Sequence, residues 1–122
     1  MAETIHIVDP VLHERRRIAD ALKGELAVVR NYDSAEQFLH EVGATSSGCM
    51  IVPIDLAGMG LRALIDEIRR RNLALAVIVL GRDSEFAAAV ELVRWGAFDF
   101  LEHPFSDRTV RSVVRRAIGT GP

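Results

Sequence analysis

One cysteine, one lysine, one tryptophan and one tyrosine occur in 122 residues, and each scarcity closes off a class of function. The lone Cys49 permits neither an internal disulfide nor a cysteine-based zinc site, which points to a reducing compartment, the cytoplasm. The lone Lys23 sits at the end of the first predicted helix, so no ammonium is left for any other site. Charge of neither sign dominates. Against 17 acidic residues stand 15 basic ones, a formal net charge of -2, and bulk electrostatics do not carry the chain onto nucleic acid or acidic lipid. Long apolar runs are missing as well: the stretch 73–81 is far short of the ~20 residues a spanning helix needs, and the N-terminus lacks the basic-then-apolar layout of a signal peptide. A soluble, unexported chain with no membrane partner is expected.

What is abundant is aliphatic. With 49% hydrophobic and 26% charged residues, the chain suits one compact domain over 1–122, with 118–122 as a flexible tail. Residues 4–9 form a β-branched run without internal charge, the pattern of a strand covered on both faces (β1). From Val11 a 3.6-residue period takes over, with Val11, Ile18, Ala19 and Leu22 on one side, until Gly24 stops it (α1). Residues 26–29 give β2. Ser34 and Gln37 form a capping box opening α2, which continues through Phe38, Leu39 and Val42 to Gly43. The unit then repeats as β3 over 48–54, a flexible loop over 57–60, α3 over 61–71, and β4 over 75–80. Ser84 is expected to cap α4 over 85–95, 98–101 gives β5, and Ser106 opens α5, which runs to Ile118.

Strict alternation of buried-type strands with helices predicts an α/β, flavodoxin-like, doubly wound (βα)5 fold: a five-stranded parallel sheet of order 2-1-3-4-5 with helices on both faces. In such sheets a site lies beyond the carboxyl ends of the strands, so Asp9, the segment 53–55, Gly81 and His103 should converge there.

The segments IHIVD (5–9), YDSAEQFL (32–39), GCMIV (48–52), AVIVLG (76–81) and AVELVRWGAFDFLEHPF (89–105) resemble the receiver domains of two-component response regulators, especially of the nitrogen-fixation regulator type. The last segment is the most specific. Its G-A-x-D-F-L-E-x-P-F string is similar to the fifth-strand signature of that family, in which a basic residue precedes a cis-type proline, here His103 and Pro104. The resemblance implies a phosphoryl switch: two acids ending β1 and an aspartate ending β3 hold Mg²⁺, and that aspartate is phosphorylated. A hydroxyl residue after β4 and a lysine before the proline then grip the phosphoryl oxygens, so that metal and cation neutralise the charge of the transferring group.

This sequence departs from the pattern at nearly every such position. Asp9 matches the first acid, but Pro10 stands for the second, Pro53 for the phosphoacceptor, Gly81 for the hydroxyl residue and His103 for the lysine. A proline ring offers no nucleophile. Lacking an N–H, Pro53 also belongs at the end of its strand, where it should stiffen the following turn, while Gly81 should loosen the loop after β4. Asp55 is two residues past the strand, ~7 Å in extended chain, outside the tolerance of in-line transfer, and reads as a solvated loop carboxylate. Asp9 reads as a hydrogen-bond partner or a capping acid for α1. Asp9 with Asp55 is a thin oxygen set for Mg²⁺, so no cofactor is expected. Cys49 reads as an inert buried thiol. No metal set is proposed from His6, His13 and His40, which are too scattered in sequence.

Two surfaces remain. At ~100° per residue, Phe86, Val90, Val93 and Ala97 gather on one face of α4, expected against the sheet, and Ala88, Leu92 and Trp95 gather on the other. The resemblance implies dimerisation or effector contact through the α4–β5–α5 face, which favours an interface containing Ala88, Leu92 and Trp95. Phe100 occupies the position of the aromatic that rotates with phosphorylation in the family. Without the switch hydroxyl, packing should fix its rotamer. On α5, Arg108, Arg111 and Arg115 form a guanidinium stripe at i, i+3 and i+7. A solvated cationic face, pairing across a dimer with Asp99 or Glu91, and capture of a phosphate-rich ligand such as a nucleotide or DNA backbone all fit it.

The function expected is a phosphorylation-independent pseudo-receiver that acts by protein–protein interaction or dimerisation in signal transduction and transcriptional control. A histidine kinase would be a partner without phosphotransfer, and nucleic acid would be met through a separate output domain. The competing readings are a Mg²⁺-dependent phosphoaccepting receiver using a displaced carboxylate, and ligand binding at the arginine stripe.

Overall fold

The computed structural model describes residues 3–44 and 46–118, so of the tail expected over 118–122 only Ile118 is seen, closing a helix, and the rest lies outside the described residues. Among the described residues the order is β1 (Thr4–Val8), α1 (Leu12–Ala21), β2 (Val28–Tyr32), α2 (Ala35–Glu41), β3 (Ser47–Pro53), α3 (Leu61–Arg70), β4 (Ala74–Gly81), a 3-10 turn (Asp83–Glu85), α4 (Phe86–Trp95), β5 (Asp99–Glu102) and α5 (Asp107–Ile118). All strand pairs are parallel, and the order across the sheet is β2-β1-β3-β4-β5, as the alternation of elements predicts.

Because successive strand residues point to opposite faces, the central strands feed two separate cores. Ile5, Ile7, Cys49, Ile51, Ile78 and Leu80 face α1 and α5, where Ile18, Val110 and Val114 meet them. Val8, Met50, Val52, Val77 and Val79 face the other way, onto Phe38 of α2, Leu64 and Ile68 of α3, and Leu92 of α4. Each such aliphatic, fully buried, contributes about 1.5–3 kcal/mol. Cys49 lies wholly in this interior, and burial pushes its thiol up to about 12, leaving it inert.

Helix starts follow local chemistry in two cases. Ser34 Oγ accepts the Gln37 N–H at 3.0 Å, while the Gln37 side chain accepts the Asp33 N–H at 2.7 Å. Ser106 Oγ accepts the Thr109 N–H at 3.1 Å and opens α5. Ser84 does not cap α4: the chain makes a 3-10 turn there and Glu85 is the residue before the helix, its carboxylate bound to the Arg82 N–H instead.

Two other expectations are corrected. β2 begins at Val28 rather than 26, and Leu26 is 99% exposed, because the strand lies at the sheet edge, where the polar Arg30 and Asn31 are both tolerated in exposed positions. Val11 is half exposed, so the buried stripe of α1 consists of Ile18, Ala21 and Leu22.

Candidate functional site

Beyond the carboxyl ends of β1, β3 and β4 lies a cleft of about 270 Å³ lined by Asp9, Pro10, Pro53, Asp55, Gly81 and His103; Ile54, the middle of the expected segment 53–55, packs against the hydrophobic core instead. Glu14, Arg82 and Glu85 line it as well. Sequence reasoning passed over these three; their signal is position, since Glu14 lies in the first turn of α1 and the other two flank the turn leaving β4.

Asp9 follows β1 directly and is buried. Its main-chain N–H continues the ladder to the Tyr32 carbonyl at 3.1 Å, and its Oδ1 accepts the Val11 N–H at 2.9 Å. That closes an Asx turn, so Asp9 braces the bend into α1, whose N-cap is Val11. Burial pushes the Asp9 carboxyl above the ordinary range; the Val11 hydrogen bond and Arg15 oppose this, and Glu14 and Asp55 add to it. The Arg15 guanidinium donates to the Asp9 carbonyl. Pro10 is exposed beside it.

Pro53 is the last residue of β3, in register with Leu80, and the following Ile54 N–H donates to the Leu80 carbonyl at 2.8 Å. The sheet thus tolerates the proline where pairing stops. Asp55 is exposed on the next turn. Gly81 ends β4, and its carbonyl accepts the His103 N–H at 2.8 Å. A Cβ at Gly81 would lie 2.7 Å from Phe100 Cε1 and 3.2 Å from Glu85 Oε1. Phe100 therefore fills the space a side chain at 81 would need, and its ring meets Phe86 edge-on at 6.3 Å. His103 is half-buried, with its ring 4.9 Å from that of Phe105 and a cis peptide joining it to Pro104.

The α4 expectation fails at Phe86, Val90, Val93 and Leu92 and holds at Ala97, which is buried, and at Ala88 and Trp95, which are exposed. Ala89 and Leu92 are buried, while Phe86 (57% exposed), Val90 (40%) and Val93 (44%) face outward. Both stripes are apolar, so the pattern does not say which one meets the sheet; the small Ala89 lets the helix approach closely. Leu92 therefore belongs to the core, and Ala88 is exposed beside it. Trp95 turns onto α3: its indole N–H donates to Asp66 at 3.0 Å, Arg62 lies 4.7 Å over its ring, and Arg69 donates to its carbonyl.

The guanidinium stripe on α5 is partly engaged within the chain. Arg115 grips Glu25 with both halves of its fork at 2.9 Å, Arg111 donates to the Ala21 carbonyl at 3.3 Å, and Arg108 is exposed. Asp99, expected to pair across a dimer, is met by Arg116 of its own chain at 3.1 Å, because β5 and α5 lie side by side. Glu91 faces Arg94 one turn along α4.

The family profile described as "Response regulator receiver domain" matches residues 5–115. The chain belongs to that family. Among curated relatives, this receiver is 30% identical over 115 residues to the transcriptional regulatory protein FixJ of Azorhizobium caulinodans, covering 94% of the chain and 54% of that protein. It is 28% identical over 114 residues to the DNA-binding transcriptional regulator NtrC of Escherichia coli K12, covering 93% and 24%. The crystal structure of the receiver domain of NtrX from Brucella abortus matches with a TM-score of 0.86 and 28% identity, over 96% of this chain and 99% of that one. The receiver thus spans about half the length of FixJ and about a quarter of NtrC. Among the described residues no helix is long and apolar enough to cross a membrane.

Proposed function

We propose that this receiver works without phosphorylation, as a cytoplasmic protein-interaction module of a transcriptional response regulator. The observation that carries the reading is Pro53 at the end of β3, facing the cleft where a carboxylate would have to attack. The proline ring has no side-chain oxygen to offer phosphorus. Asp55 shares the cleft, but it sits on an exposed turn two residues past the strand end rather than on the strand end itself, so it does not present a carboxylate from position 53.

A metal-free cleft belongs to the same reading, and the donor set supports it. One Asp9 oxygen is committed to Val11, and burial favours the protonated form of that carboxyl. Pro10 and Pro53 contribute no donor side chain, the Glu85 carboxylate in the same cleft is bound to the Arg82 N–H, and although Glu14 and Asp55 also line it, among the described residues no group of three or more His, Cys, Asp or Glu gathers as a metal site. Mg²⁺ asks for several oxygens in near-octahedral array, so these residues do not fit it.

Output in this reading passes through the α4–β5–α5 face. Phe86, Val90 and Val93 are exposed apolar residues of this face and take the place of the buried Leu92 in the proposed contact, while Trp95, 39% exposed, leans onto α3 at its border. The partner is a protein, either a second copy or an effector; a sensor kinase would dock without transferring phosphate, and sequence-specific DNA reading would fall to a separate output domain. The Phe100 ring, seated against Gly81, holds this face in one arrangement. Beryllofluoride with Mg²⁺ tests the proposal through thermal unfolding: the melting temperature should be the same with and without it, and a rise of several degrees would overturn the reading.

A further inference from the structure

We infer that the arginine groove on α5 is a binding site for a row of adjacent phosphate groups. The groove, about 670 Å³ in volume, is lined by Arg108, Arg111, Ser112, Arg115 and Arg116. On a chain whose formal net charge is -2, three of these guanidiniums, Arg108, Arg111 and Arg115, share one face, and the carboxylate that meets them there is Glu25. Arg115, its fork closed on both Glu25 oxygens, holds that carboxyl below its ordinary range, with Arg111 adding to the effect. Glu25 thus neutralises one charge and fixes one side chain. Arg111 is anchored to a neutral carbonyl, which leaves its charge uncompensated, and Arg108 extends the row into solvent.

The shape of this excess selects the ligand. Seven residues of helix separate Arg108 from Arg115, about 10 Å along the axis. That is too long for a single phosphate or carboxylate, and it covers about three phosphate-to-phosphate intervals of one nucleic-acid strand at ~3.4 Å of axial rise each. Guanidinium forks bind phosphate oxygens bidentately, and the Ser112 hydroxyl within the row adds a donor. A free polyphosphate and a nucleic-acid backbone present the same chemistry. The inference stands apart from the cleft and does not depend on whether the receiver accepts phosphate.

The test measures binding of inorganic tripolyphosphate by calorimetry, and of a labelled duplex of arbitrary sequence by anisotropy, at 50 and 200 mM salt, with poly-glutamate as the comparison anion. Binding of the duplex should weaken about twelvefold across that salt range for two phosphate contacts, those of Arg108 and Arg111, and the log–log salt slope should fall by about one for Arg108→Gln and again for Arg111→Gln. Arg108→Gln removes an exposed side chain from the first turn, so circular dichroism should be unchanged. Binding of tripolyphosphate alone assigns the site to free polyphosphate, and tighter binding of the duplex assigns it to a backbone. Absence of both below 1 mM, equal binding of poly-glutamate, or a salt slope indifferent to both substitutions would overturn the inference.

Discussion

Gly81 and Phe100 divide one volume between them. A side chain at 81 would begin 2.7 Å from the Phe100 ring edge, so Gly81→Thr must push the ring out or strain the end of β4. Overpacking of this kind costs about 1–3 kcal/mol, and removing the ring in the same chain relieves it. In urea unfolding, Gly81→Thr and Phe100→Ala should therefore be non-additive, the double variant being more stable than the sum of the singles predicts. Additive losses would mean that the two residues do not compete. A second residue-scale prediction concerns His6, buried between Tyr32 and Phe38 with Nδ1 2.9 Å from the Tyr32 hydroxyl and Nε2 without a hydrogen-bond partner among the described residues. Burial, with Arg30 nearby, lowers its pKa from 6.5 to about 4. The folded state then binds fewer protons than the unfolded state between those values. Its stability contribution is complete above about pH 6.5 and fades as the pH falls to about 4, by at most about 3 kcal/mol. His6→Leu should flatten that part of the stability–pH curve; an unchanged acid limb would assign the loss to other groups. The convergence of Asp9, Pro53, Gly81 and His103 was legible in the sequence because strand ends locate it. Phe100 against Gly81 was legible only as a position, since ring placement depends on a contact between two strands.

At the scale of elements, α4 shows why periodicity stops short. Its sequence gives two apolar stripes but not their direction, and contact with β4 and β5 turned Phe86, Val90 and Val93 of the expected face outward while Ala97 stayed buried. The exposed row of Phe86, Val90 and Val93 is the consequence. Val90→Ser with Val93→Ser should change stability by no more than about 1 kcal/mol, since both side chains are substantially solvated, yet weaken self-association or partner capture in sedimentation. Unaltered sedimentation would place the contact elsewhere. Trp95 behaves in the opposite way. Its bonds to Asp66 and its stacking with Arg62 join α4 to α3, so Trp95→Ala should lower stability by about 1–2 kcal/mol without abolishing association. Urea unfolding read beside sedimentation separates the two roles, and loss of association in Trp95→Ala at intact fold would return this residue to the interface. β2 was misplaced for a related reason: the apolar run 26–29 looks like a strand, whereas the paired residues are the more polar Val28–Tyr32, which the edge of a sheet accepts.

Across the whole molecule, fold and chemistry separate. Strand order, the two cores and the family membership follow from alternating aliphatic strands and helices, none of which depends on the residues of the cleft. A receiver can therefore keep its architecture while Pro53 and Gly81 occupy positions at which the resemblance implies a carboxylate and a hydroxyl. The most direct measurement is the intact mass of the purified chain after incubation with acetyl phosphate and Mg²⁺ at neutral pH. The account predicts the unmodified mass throughout. A hydroxylamine-labile phosphoryl adduct, located by peptide mapping at Asp9 or Asp55, would contradict it.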